Sequence, residues 1–458
     1  MTQKVNAEKE RTGLPWILFL AIPAVIENFF QTIIGFVDTY FVSQIGITEV
    51  SAVGVTNALL QVYFAIFMAL GVAANIYVAK YTGAKNAEKA QQSSWQSIYL
   101  AIIAGIVFGV VTLFFAEPML KLMGAESAVI DAGKTYFKIV AIPSIILSLT
   151  FVVASILRGT GDTKTPMKIS IYVNLLNIVL DYVLIFGFWI IPGFGLVGAA
   201  TATVIARLIG VIWLLSIFLK REGTREAGWK RPAINFGEMK KLLTVGAPAS
   251  GERLVMRIGQ VLYFGIIVSL GTATFAAHQI AGSIEVFSYM IGYGFATAAT
   301  TIVGQLIGAG RIEESQKYAL QCTAIAVGFM SIVGLILFFS AEWLAGLFTT
   351  DTKVIADITV ALRIDAFIQP ILAIVLVLTG VYQGGGNTKT PMYITAIGIW
   401  LLRTVFVYVL GLAMGFGIAG VWIAIGIDNL FRAIWLSISF IRGNWIKEGF
   451  EEKAEAAN

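Results

Sequence analysis

Apolar residues run along this chain in long blocks separated by short polar stretches, without the alternation of a half-buried strand or the one-sided stripe of a soluble helix. The blocks cover residues 14–42, 52–79, 93–116, 134–157, 168–190, 195–219, 242–269, 275–307, 318–340, 358–381, 392–414 and 417–441. Roughly 20 apolar residues cross a bilayer as a helix, so the pattern predicts twelve transmembrane helices. Barrel strands would need alternation over about ten residues, with polar positions facing a lumen, and these blocks are apolar on all sides. The first block follows Lys4, Lys9 and Arg11 in the manner of a secretory signal, but it is too long and contains Glu27 and Asp38, so it is read as a retained helix.

The twelve blocks fall into two sets of six. Pro23 and Pro248 lie 225 residues apart, and the same offset relates Gly46 to Gly271, Gly83-Ala84 to Gly308-Ala309, and Thr163-Lys164-Thr165-Pro166-Met167 to Thr388-Lys389-Thr390-Pro391-Met392. GLVGAA at 195 then faces GIAGVW at 417. Several landmarks in one register imply duplication. Because six is even, the halves share an orientation, which suits alternating access about an axis along the membrane normal. The expected organisation is an all-α polytopic membrane protein: a six-helix lobe at 1–219, a linker at 220–241, a parallel pseudo-symmetric lobe at 242–441 and a tail at 442–458.

Composition agrees with this picture. Of the 458 residues 58% are apolar and 13% charged, with a mean hydropathy of +0.83, against about 25% charged in soluble domains. The net charge of +5 does not point to nucleic acid, because the bases sit in loops beside apolar blocks. Loops of one side carry Lys80, Lys85, Lys89, Arg158, Lys164, Lys168 and the bases of 220–241, while the other side carries Lys121 and Lys353. Cytoplasmic loops are the Lys/Arg-rich ones, which places both termini in the cytoplasm. One cysteine, Cys322, and one histidine, His278, leave no disulfide and no zinc or redox cluster.

Polar residues inside the blocks are then the functional candidates, since a charge at mid-membrane costs about 2.5–3.5 kcal/mol on insertion scales. Glu27, Gln31, Gly35 and Asp38 come round to one face of the first helix; the bland alternative solvates both acids at opposite helix ends. Asn174, Asn177 and Asp181 form a stripe on the fifth helix, suited to a small cation or a proton among oxygens, or else to a helix–helix hydrogen bond. Thr201, Thr203 and Arg207 follow small residues on the sixth. The second half does not copy these acids: Asp38 maps to Tyr263 and Asp181 to Phe406, while Glu27 maps to Glu252. Arg253 and Arg257 can neutralise Glu252, Glu285 or Asp365. Met256, Glu285 and Tyr289, with His278, Met290 and Tyr293 nearby, supply the soft and aromatic surface that organic cations prefer. Pro23 should bend the first helix, as Pro143, Pro248 and Pro370 can bend theirs. The glycine-rich TKTP loops lack phosphate-loop spacing, which leaves an ion gradient or the substrate itself as the energy source.

FVDTYFVSQIG around Asp38, LRGTGDTKTPM, NLLNIVLDYVLIFG and QGGGNTKTPM together resemble the multidrug and toxic compound extrusion (MATE) transporters, in particular their DinF-like bacterial branch. The resemblance implies a plasma-membrane antiporter that expels cationic amphipathic drugs in exchange for protons or sodium ions, with no cofactor besides that ion. It implies that Asp38, Asn177 and Asp181, with Thr201, form the proton or sodium site, that Gln31 and Asn174 line the adjoining drug cavity, and that Pro23 marks the bend. The expected partners are organic cations and the bilayer, with no nucleic acid and a monomeric chain. The competing readings are a flippase for lipid-linked oligosaccharides, whose cavities tend to be basic, and a membrane-embedded transferase, for which a single histidine is a poor endowment.

Overall fold

The computed structural model describes residues 13–189, 191–220, 232–448 and 450. The amino-terminal bases Lys4, Lys9 and Arg11, positions 221–231 of the expected linker, and positions 449 and 451–458 of the expected tail lie outside the described residues.

Helix dominates because a backbone in hydrocarbon must satisfy its own polar groups. The helices are α1 (Gly13–Ser43), α2 (Ile47–Gly83), α3 (Ala87–Leu122), α4 (Ser127–Ala141), α5 (Ser144–Gly159), α6 (Lys164–Phe186), α7 (Gly195–Lys220), α8 (Phe236–Ser269), α9 (Thr272–Gly308), α10 (Ile312–Gly346), α11 (Thr352–Gly384), α12 (Lys389–Ala413) and α13 (Gly417–Ile441). A two-residue hairpin, β1 (Gly187–Phe188) with β2 (Ile191–Pro192), joins α6 to α7. Ten helices are individually long and apolar enough to cross a membrane, and α4 with α5 qualify as one span bent by 47°. The twelfth expected span is α8, which is 34 residues long but too rich in charge for composition to mark it. The expected fold class, all-α and polytopic, is the one observed.

The bend falls at Pro143, which has no N–H to give and whose ring opposes continuation of α4; Ile146 N restarts the ladder on Pro143 O at 2.9 Å. Gly105 and Gly109 of α3 lie against the backbone of Ile145 and Ile142, so the break is packed rather than frayed. Pro23, Pro118, Pro248 and Pro370 sit inside uninterrupted helices.

Contacts divide the chain into two compact units, Phe29–Ser250 and Gly251 onward with the part of α1 before Phe29. These boundaries differ from a division at 220–241, and particular contacts explain why. Within the first unit the start of α8 packs on α2: Gly246 faces Ala69, and Tyr77 Oη donates to Lys241 O at 3.5 Å. Within the second, the start of α1 is held by Tyr318, whose Oη accepts from Gly13 N at 2.6 Å and whose ring meets Trp16, and by Gly294, which abuts Val25. The first unit is centred on α2, where Tyr63 donates to or accepts from Thr112 at 2.8 Å among Phe67, Phe108 and Phe137. Ile267, Ala281, Ile358, Leu362 and Trp422 form the core of the second.

The sequence repeat has an atomic counterpart. Asp162 accepts from Thr165 N at 2.9 Å and Asn387 accepts from Thr390 N at 3.2 Å, so each TKTP loop opens its helix with the same cap. The glycine before each cap, Gly161 and Gly386, has φ of 89° and 75°, a left-handed conformation that side chains resist. Gly198 rests on the Leu184 carbonyl and Gly420 on that of Leu410, bringing α6 against α7 and α12 against α13. The copies differ in α12, where residues Ile397–Arg403 and Val407–Ala413 are π-helical.

Candidate functional site

The second half of α1, α4, α6 and α7 all belong to the unit Phe29–Ser250, and their polar side chains converge. Asn177 and Asp181 are one turn apart on α6 and are buried, 6% and 2% exposed. Asp38, half-buried on α1, faces Asp181 closely enough for their carboxyls to share a hydrogen bond. Two ionised carboxylates are both acceptors, so that bond requires a proton on one of them. Without it, Asp38 Oδ1, both Asp181 oxygens and Asn177 Nδ2 are buried polar atoms with no hydrogen-bond partner. Buried polar atoms are normally satisfied, and four orphans in one small cluster mark a place built to receive something. Carboxylate and amide oxygens are hard donors suited to a proton or a small cation.

Two further residues face the acids. Tyr136 of α4 is buried within electrostatic reach of Asp38, Asp181 and Arg207. Arg207 of α7 is within reach of Asp38. Tyr136 lies inside the apolar block 134–157, where a single tyrosine made no polar stripe to mark it.

The remaining sequence candidates are placed variously. Thr201 donates to Val197 O at 2.7 Å, a bond within its own helix, and no contact among the described residues ties it to the acids. Asn174 donates to Ser170 Oγ at 3.3 Å and Gln31 is exposed. Glu27 is buried, but contacts group it with the second unit, so the α1 stripe is divided between the two units.

In the second unit several acids are engaged, although Asp365 Oδ1 is also a buried atom without a hydrogen-bond partner. Asp428, 0% exposed, is gripped by Arg403 at 2.6 Å and Arg432 at 3.0 Å, and Asn429 adds a bond to Arg432 at 2.7 Å. Arg403 also covers the ring of Tyr263, the counterpart of Asp38. Asp365 accepts from Gln369 Nε2 at 2.7 Å, and Gln369 Oε1 accepts from Ser288 Oγ at 2.8 Å. Glu252 accepts from Thr395 Oγ1 at 3.2 Å. Of the expected pairings, Arg253 lies within electrostatic reach of Glu252; it also hydrogen-bonds Tyr293 Oη at 3.4 Å and covers its ring, and Arg257 donates to Gln260. Tyr289 stacks edge-on with Tyr293, and Met256 packs on the core. His278 is enclosed by Tyr263, Phe264 and Trp422. The Asp428 triad escaped sequence reading, although Asp428 and Arg432 at i, i+4 in an apolar block were a visible signal.

Comparison with known proteins agrees with this architecture. The family model MatE matches twice, over residues 23–183 and 248–409, in the register of the internal repeat. A probable multidrug resistance protein NorM of Thermotoga maritima is 32% identical over 94% of this chain and 93% of its own length. An uncharacterized transporter, YisQ of Bacillus subtilis, is 26% identical over 97% and 98%. The crystal structure of MATE in the straight conformation superposes with a TM-score of 0.88 at 25% identity, covering 93% of this chain and 96% of the other. A MOP superfamily transporter from Pyrococcus furiosus, described as having a binding pocket of reverse polarity, gives 0.87 at 26% identity over 94% and 95%. A family model that fits both halves and a relative that matches nearly end to end leave one conclusion: this multi-pass membrane protein belongs to the MatE family.

Proposed function

We propose that this protein exports cationic, amphipathic organic compounds from the cell in exchange for an entering proton or sodium ion, by alternating access, as a single chain in the plasma membrane with both termini cytoplasmic. The motifs around Asp38 and Asp181 align it with the DinF-like branch. The names of its relatives support drug export. The observation that carries ion coupling is the Asp38–Asp181 pair, buried, facing and unsatisfied.

Asp38, Asn177 and Asp181 hold the coupling ion, with Thr201 as a further oxygen. Gln31, Asn174, Glu27, Met256, Glu285 and Tyr289 serve the organic substrate. Facing carboxylates repel, and a proton or sodium ion between them removes the repulsion. The same negative charge attracts an organic cation, so ion and drug compete and entry of one expels the other. One ion entering as one singly charged organic cation leaves moves no net charge, so the concentration ratio of the ion drives the exchange; at about 1.36 kcal/mol per factor of ten, a tenfold ion gradient sustains a drug gradient of about tenfold.

The test is dye efflux in everted vesicles with proton and sodium gradients imposed separately. Asp38→Asn and Asp181→Asn should each lose gradient-driven efflux at least tenfold while the protein still inserts. Wild-type rates in both variants would refute the assignment.

A further inference from the structure

Arg207 is half-buried on α7 and lines a small cavity of about 10 Å³ with Val140, Pro143, Ile146, Leu147 and Val204, beside the break between α4 and α5. Its neighbours there are apolar. Among the described residues it makes no hydrogen bond and no ion pair, whereas Arg403 and Arg432 are both locked onto Asp428. A guanidinium in a low-dielectric setting is normally paired, and the field that Arg207 feels comes from Asp38 and Tyr136. It therefore lies within electrostatic reach of Asp38, on the helix packed against that of Asp181, with no bond to either acid.

We propose that Arg207 is the fixed counter-charge of the ion site, a positioning residue that limits the site to one monovalent cation per cycle. This inference rests on the reading of Asp38 and Asp181 as the coupling site. Two carboxylates and one guanidinium sum to a single negative charge. One proton or sodium ion makes the cluster neutral. A second ion, or a divalent one, leaves a positive charge buried without a partner, which low-dielectric surroundings penalise. Arg207 sets this capacity without touching the ion, so the pair is free to open for it.

The experiment measures the number of coupling ions exchanged per organic cation, from the ion concentration ratio at which ethidium flux reverses with the membrane potential clamped at zero, in proteoliposomes of wild type, Arg207→Lys, Arg207→Gln and Asp181→Asn. Wild type and Arg207→Lys should exchange one ion per cycle and Arg207→Gln two. In detergent, Ca²⁺ should raise the melting temperature of Arg207→Gln and leave that of the wild type unchanged. A ratio of one in Arg207→Gln, a ratio of two in Arg207→Lys, or a wild type stabilised by Ca²⁺ overturns the inference. Should Arg207→Gln fail to fold, Asp38→Asn added to it restores the charge balance and should restore folding; no restoration counts against the proposal. Asp181→Asn separates the two levels. Normal pumping by that variant refutes the site itself, whereas loss of pumping there with an unchanged ratio in Arg207→Gln refutes only the role of Arg207.

Discussion

Asp428 and Asp181 are both carboxylates buried within membrane-spanning helices, and the fold treats them oppositely. Asp428 has two arginines and, through Arg432, an asparagine arranged about it. Asp181 has neither oxygen bonded and faces a second acid. The first arrangement is a closed structural unit, because every charge has a partner and nothing further can enter without breaking a bond. The second stores an unmet electrostatic demand. The two halves thus set buried acid in opposite surroundings, one bonded by its neighbours and one left open.

The comparison can be broken most sharply by removing each acid and measuring stability. Asp428→Ala strands two buried guanidinium groups and should destabilise the protein by about 3–5 kcal/mol, read as a lowered thermal midpoint in detergent. Asp38→Asn should leave that midpoint unchanged or raise it, because it relieves like-charge repulsion while abolishing coupling. A large stability loss in Asp38→Asn would show the pair to be structural after all. A smaller effect is expected at Gln369→Leu, which strips Asp365 of its donor while Ser288 keeps the Glu285 carbonyl as acceptor, at a cost of about 1–3 kcal/mol; unchanged stability would show that water serves Asp365 equally well. The smallest test compares the two repeated caps. Asp162 accepts from both the amide and the hydroxyl of Thr165, the latter at 2.5 Å, whereas Asn387 caps its helix through the Thr390 amide. Because Asn387 Nδ2 also donates to Asn444 O at 2.8 Å, Asp162→Ala and Asn387→Ala should each cost about 1 kcal/mol, measured by the same unfolding assay.

Much of the architecture was legible in the sequence because membrane helices announce themselves by length and apolarity, and because duplication printed the same glycines and TKTP loops twice. The stripe Asn177–Asp181 was legible for the same reason: a polar face is conspicuous in an apolar block. What the sequence hid depends on partners from other helices. Arg403 and Asp428 are 25 residues apart and meet only because Gly420 lets α13 close on α12. Several prolines were candidates for a bend, and Pro143 alone separates two helices, where Gly105 and Gly109 of α3 accommodate the break. The unit boundary at Ser250 was invisible because it is set by how Gly246 and Lys241 pack on α2, not by chain composition.

The contact between Gly198 and the Leu184 carbonyl, reinforced by the β1–β2 hairpin, fastens α6 to α7 like the prongs of one fork. Asp181 lies on one prong and Arg207 on the other. Asp38 rides on a separate helix. On the proposed role of Asp38 and Asp181, opening the ion site is a matter of moving α1 relative to that fork, and a disulfide engineered between the prongs should be tolerated where one from α1 to α6 should arrest transport.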